Sequence, residues 1–153
     1  MKVCIGGTFN IIHSGHKLLI NKAFETAGLE GSVFIGLTTK KLTKNKKNVW
    51  SLQERKKKLE QYLSEKGFLD RATIKPISNK YGPSIDEEFD AIVVSPETMK
   101  TAEEINFKRR EKGKKALKII KIPFLSAKDG VPISSSRIYN KEIDENGNIL
   151  KRD

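Results

Sequence analysis

Short apolar runs alternate along the chain with longer segments whose apolar positions recur every three to four residues. Val3–Gly6 reads as a strand. Lys17–Ala27 reads as a helix, with Leu18, Leu19, Ala23, Phe24 and Ala27 on one stripe and Gly28 as its stop. Ser32–Leu37 predicts a second strand. Ser51 and Glu54 have capping-box spacing and open a helix through about Lys66, which Gly67 ends. Ala72–Ile77 predicts a third strand, and FDAIVVS (Phe89–Ser95) a fourth, buried one. Pro96 stands where a first helical turn tolerates it. Thr98–Lys112 follows as helix, and Gly113 stops it. ALKIIKIPFL (Ala116–Leu125) predicts a fifth strand, and ISSSRI (Ile133–Ile138) begins a short last helix.

Strand and helix therefore alternate over all 153 residues, with neither an internal repeat nor a linker. The expectation is a single α/β domain over residues 1–153: a doubly wound, parallel five-stranded sheet with helices on both faces. Ligands of such sheets bind beyond the carboxyl ends of the strands, near the point where the winding reverses. GGTFN follows the first strand directly, so that edge is where chemistry is expected.

Composition narrows the partners. The chain carries 30 Lys and Arg against 19 Asp and Glu, a formal charge of +11. This balance suits attraction of small polyanions such as nucleotides, or simply a solvated lysine-rich surface. The basic residues are scattered, and helix-turn-helix, zinc-finger and RNA-binding signatures are absent, so nucleic acid is not the expected partner. No apolar stretch is long enough to span a bilayer, and no signal-peptide pattern opens the chain. The single cysteine, Cys4, excludes an internal disulfide, and a reducing cytoplasm is the expected setting.

Both histidines of the chain, His13 and His16, fall within four residues of one another. As metal ligands, two are too few. As structural residues at a helix start they would be unremarkable. As anion binders they stand where the helix N-terminus already favours phosphate, with Gly15 between them leaving room for close approach. That placement fits the third reading best. Gly6-Gly7 also permits close approach of a ligand to backbone, yet the segment is neither a Walker A loop nor G-x-G-x-x-G.

TFNIIHSGH (Thr8–His16) resembles the T-x-x-x-x-H-x-G-H signature of the HIGH-motif nucleotidyltransferases. PISSSRI (Pro132–Ile138) resembles the second motif of that superfamily, with Arg137 directly after the serines. In order and spacing the chain is most similar to the archaeal-type phosphopantetheine adenylyltransferases. GGTF, VVSPET (Val93–Thr98), an Asn and an Arg further along that helix, and EIDENG (Glu142–Gly147) complete the likeness. It implies a Rossmann-like nucleotidyltransferase fold and transfer of AMP from ATP to 4′-phosphopantetheine, giving dephospho-coenzyme A and pyrophosphate.

By that resemblance Gly6, Gly7, Phe9, His13, His16, Ser134, Ser135, Ser136 and Arg137 bind ATP, with Arg109 or Arg110 on its outer phosphates. Thr8 meets the acceptor phosphate. KKNVWSLQER (Lys46–Arg55) resembles the family's basic pair before a Glu-Arg helix start, which makes Lys46 the bridging lysine, with Lys44 and Lys47 as alternatives. Phe9, Trp50, Tyr81 and Phe107 are candidates to line a groove for the pantetheine arm. The nucleophile is a phosphate oxygen, already ionised near neutrality, so no general base is required. Mg²⁺ is expected to arrive with ATP, since no carboxylate cluster for a protein-held metal stands out. The alternatives are a cytidylyltransferase, an FAD or NMN adenylyltransferase, or a non-catalytic nucleotide- or RNA-binding protein. Against the cytidylyltransferases, AKDGVPISSSR lacks their R-T-x-G-I-S-T-T form.

Overall fold

The computed structural model describes residues 1–150. Its elements are β1 (Lys2–Gly7), α1 (Ser14–Ala27), β2 (Ser32–Thr38), α2 (Lys40–Thr43), α3 (Leu52–Glu65), β3 (Ala72–Ile77), β4 (Ala91–Val94), α4 (Met99–Glu111), β5 (Lys118–Lys121) and α5 (Ser135–Tyr139). The five strands form one sheet in the order β3-β2-β1-β4-β5. Every pairing is parallel. The winding reverses between β1 and β4, so the loops leaving those two strands face a common crevice.

Alternation within the strands explains the two layers. Val3, Ile5, Val33, Ile35, Leu37, Ala91 and Val93 point to one face and pack with α1 and α3 through Ile20, Phe24, Leu59 and Leu63. Leu59 and Leu63 are fully buried, each worth about 1.5–3 kcal/mol relative to exposure. On the other face Cys4, Ile92 and Val94 meet Ala102 and Ile105 of α4. Burial pushes the Cys4 thiol up to about 12, which leaves it an inert core residue. A third, small cluster of Ala127, Ile133 and Ile143 holds the C-terminal segment together. Among the described residues no helix is long and apolar enough to cross a membrane.

The doubly wound sheet is as expected, and the differences lie at element ends. Helix α1 begins at Ser14 rather than Lys17, because the His13 ring caps its first turn. Strand β4 pairs only over Ala91–Val94, although Phe89 is buried beside it. Strand β5 is four residues long. Its ladder ends with the Ile122 N–H on the Val94 carbonyl, since Pro123 has no N–H to continue it. Only half of the box at α3 forms: Ser51 Oγ accepts the Glu54 N–H at 3.2 Å.

Candidate active site

The two imidazoles are stacked at the entrance of α1, with ring centroids 3.8 Å apart. Nδ1 of His13 accepts the N–H groups of Gly15 at 3.0 Å and His16 at 3.4 Å. The neutral ring therefore carries its proton on Nε2, a donor that needs no further protonation to meet a phosphate oxygen. Nδ1 of His16 lies 2.9 Å from the Ile11 carbonyl and 3.3 Å from the His13 N–H. The carbonyl calls for a proton on Nδ1 and the His13 N–H for a lone pair there, so the tautomer of the ring decides which contact is the hydrogen bond and whether Nε2 donates in the neutral form. Burial holds His13 down to about 4. It holds His16 to about 3, with the His13 ring adding to the effect.

The helix end is not a free amide nest. Ser14 N–H bonds the Glu145 carbonyl at 3.0 Å and Lys17 N–H bonds the His13 carbonyl at 3.0 Å. With Gly15 and His16 held by the His13 ring, the first-turn donors are satisfied within the protein. Gly15 makes room for that ring rather than for a phosphate: a Cβ there would stand 2.9 Å from His13 Cε1. An anion approaching this end of α1 would meet imidazole edges rather than free amides.

Next to the histidines, the loop after β1 builds a second cluster. Thr8 Oγ1 accepts the Thr38 hydroxyl at 2.9 Å and the Lys46 ammonium at 2.9 Å. With both acceptor positions filled, the Thr8 hydroxyl keeps its proton for a further acceptor. The lysine run is placed by Asn10, whose amide donates to the Asn48 carbonyl at 2.9 Å and accepts the Trp50 N–H at 2.7 Å. Of the lysines in that run, the structure puts Lys46 on Thr8. Asn10 and Thr38 were not singled out from sequence. A polar residue flanked by Phe9 and Ile11 was the available signal in the sequence for Asn10, which is only 8% exposed in the fold.

The C-terminal serines come to the same edge. Ser135 Oγ donates to the Ile11 carbonyl at 3.3 Å, and the Ile11 N–H lies 3.4 Å from it. Ser14 Oγ also reaches the Glu145 carbonyl at 3.0 Å. Ser134 caps α5 by accepting the Arg137 N–H at 3.2 Å, and Ser136 is exposed. Three segments far apart in sequence thus meet around one crevice: Thr8–His16, the 46–50 loop and the 132–147 segment.

Residues 4–141 match a family model described as cytidylyltransferase-like. The chain belongs to the cytidylyltransferase-like family. It is 45% identical over 151 residues to the phosphopantetheine adenylyltransferase of Methanosarcina barkeri, covering 98% of this chain and 93% of that protein. The phosphopantetheine adenylyltransferase of Archaeoglobus fulgidus is 39% identical over 151 residues, covering 98% and 100%. A solved Archaeoglobus fulgidus protein of unknown function superposes with a TM-score of 0.72 at 38% identity, covering 80% of this chain and 89% of its own.

For this cytidylyltransferase-like chain, five expectations from sequence require correction. Phe9 is 1% exposed, with its ring 5.0 Å from that of His16, so it props the histidine and offers ATP no face. Gly7 is required by the same ring, which a Cβ would approach to 3.0 Å. Arg109 points into the protein and donates to the carbonyls of Ser84, Ile85, Glu87 and Lys115. Arg110 is exposed on the last turn of α4. That helix starts at the crevice and runs back along the sheet for 13 residues, about 20 Å. Its end lies at the opposite edge, away from the histidines. Arg137 is held by Asp129 and Glu142, together with the carbonyls of Val131 and Pro132. It braces the serine loop and has no fork left for a phosphate.

Of the aromatic candidates, Trp50 stands beside Asn10 with Lys58 over its ring at 4.5 Å. Tyr81 bonds Glu104 at 2.6 Å on the α4 side, and Phe107 is exposed near the end of α4. Gly6 is exposed at the end of β1, and a Cβ there would find only ordinary contacts.

Proposed function

We propose that the protein transfers the adenylyl group of ATP to 4′-phosphopantetheine, giving dephospho-coenzyme A and pyrophosphate, a step of coenzyme A biosynthesis. The observation that carries this reading is the pairing of two anion-directed clusters on one short loop. Thr8 and Lys46 meet at its start, and the stacked histidines stand at its end, eight residues on. The names of relatives 39–45% identical over nearly the whole chain support the choice of substrates.

In this reading an acceptor phosphate oxygen attacks the α-phosphorus of ATP. The Pα–O bond to the β-phosphate breaks, and its electron pair leaves on pyrophosphate. The nucleophile is already ionised at neutral pH, so no protein base has to take a proton. Thr8 and Lys46 hold the acceptor phosphate in line. His13 donates from Nε2–H to a phosphate oxygen of ATP. His16 stands beside it, its ring stacked on that of His13 and facing the same phosphate chain. Ser135 and Ser136 close the triphosphate side. Mg²⁺ carried by ATP supplies further charge screening.

The test is product identification. Purified protein is incubated with Mg²⁺ and either ATP or CTP, against 4′-phosphopantetheine, glycerol 3-phosphate, FMN and nicotinamide mononucleotide. Dephospho-coenzyme A and pyrophosphate in equal amounts, from ATP alone, are the expected result. Turnover only with CTP or another acceptor would refute the reading.

A further inference from the structure

Arg55 is 2% exposed and lies in the first turn of α3. A cation there is doubly unfavourable, because it is removed from water and sits at the positive end of a helix. No carboxylate among the described residues forms an ion pair with it. Its partners are backbone carbonyls instead. Nε donates to Trp50 O at 2.9 Å, Nη1 to Thr8 O at 3.0 Å and Nη2 to Thr38 O at 2.8 Å. These belong to three separate segments: the loop after β1, the end of β2 and the entrance to α3. They are also the segments that build the acceptor cluster, since Thr8 and Thr38 are bonded through their hydroxyls as well. Burial lowers the Arg55 pKa from its ordinary value, yet a guanidinium stays charged in a protein.

We propose that Arg55 is the positioning residue of the acceptor site. By holding the Thr8 and Thr38 carbonyls it fixes the direction in which the Thr8 hydroxyl points, and its buried charge is balanced only when an acceptor phosphate dianion is bound. A rigid three-way fork is required, because one ammonium cannot reach three diverging carbonyls. The inference rests on the adenylyl transfer proposed above and adds to it a residue that does not itself touch the reacting atoms.

The experiment compares wild type, Arg55→Lys and Arg55→Met in three measurements: steady-state kinetics for 4′-phosphopantetheine, ATP affinity without acceptor, and thermal stability. Formation of dephospho-coenzyme A by the wild type is read first, so failure of the reaction assignment is seen apart from failure of this inference. With turnover established, Arg55→Lys should lose about 10- to 100-fold in acceptor kcat/KM, the range for a lost charge-assisted hydrogen bond. ATP affinity should stay within about twofold. Acceptor kcat/KM per folded molecule within about threefold of wild type, alongside a lowered Tm, would make Arg55 merely structural and overturn the proposal. Equal losses in ATP affinity and acceptor use would also overturn it. If neither variant folds, the wild type decides: its Arg55 Nε–H NMR signal should move on adding 4′-phosphopantetheine and not on adding ATP. An unmoved signal with saturating acceptor would sink the idea.

Discussion

Acidifying the ligand-free protein from pH 7 to pH 5 should cost it stability at the two imidazoles, by an amount the structure sets. Burial depresses His13 to about 4 and His16 to about 3 in the folded state, against about 6.5 in the unfolded chain. Between the folded and unfolded values the unfolded state binds more protons, so stability falls as pH falls. It is fully present above about pH 6.5 and drains away until the folded rings titrate. Each ring contributes about 2 kcal/mol of loss between pH 7 and pH 5, about 4 kcal/mol together. That is a large share of the stability of a domain this size. His16→Gln keeps a third-position residue able to cap α1 and removes one titrating ring. Urea unfolding at both pH values should therefore show the loss halved in the variant. Saturating MgATP should shrink the wild-type loss, because a bound polyphosphate favours imidazolium. Equal losses in wild type and His16→Gln would refute the reasoning, as would a gain in stability on acidification.

Two further predictions separate site residues from structural ones. Lys46→Ala should lower acceptor kcat/KM by about 100-fold with ATP affinity preserved, while Lys44→Ala and Lys47→Ala remain close to wild type in the same assay. Silence at Lys46 would show that its contact with Thr8 does not serve the reaction. Arg109→Met should destabilise the fold by about 3 kcal/mol or more by stripping four carbonyls of their donor, leaving turnover per folded molecule near wild type. Arg110→Ala should change Tm and ATP affinity little, and a large loss of ATP affinity would restore it to the site.

The sequence by itself determined the order of strands and helices, and it placed the histidines at a helix entrance. Both are local properties: strand and helix periods extend over a few neighbours, and the His13 ring caps amides only two and three residues away. What it could not determine was the direction in which a long side chain points once elements pack. Arg55, Arg109 and Arg110 read alike as basic helix residues. Packing buries the first under the acceptor cluster, turns the second onto carbonyls of the 84–87 loop and leaves the third in solvent. Phe9 followed the same rule, since its backbone φ of 47° and the bare Gly7 beside it turn the ring under His16. The lysine run offered five near-equivalent ammonium groups, and Asn10, thirty-eight residues before Asn48, selected Lys46 by anchoring the loop. Even the free amides expected at the start of α1 were decided from afar, because the Glu145 carbonyl arrives from the other end of the chain. Periodicity and caps are written in neighbours, whereas burial of a charge or an amide depends on partners that only the folded chain brings within reach.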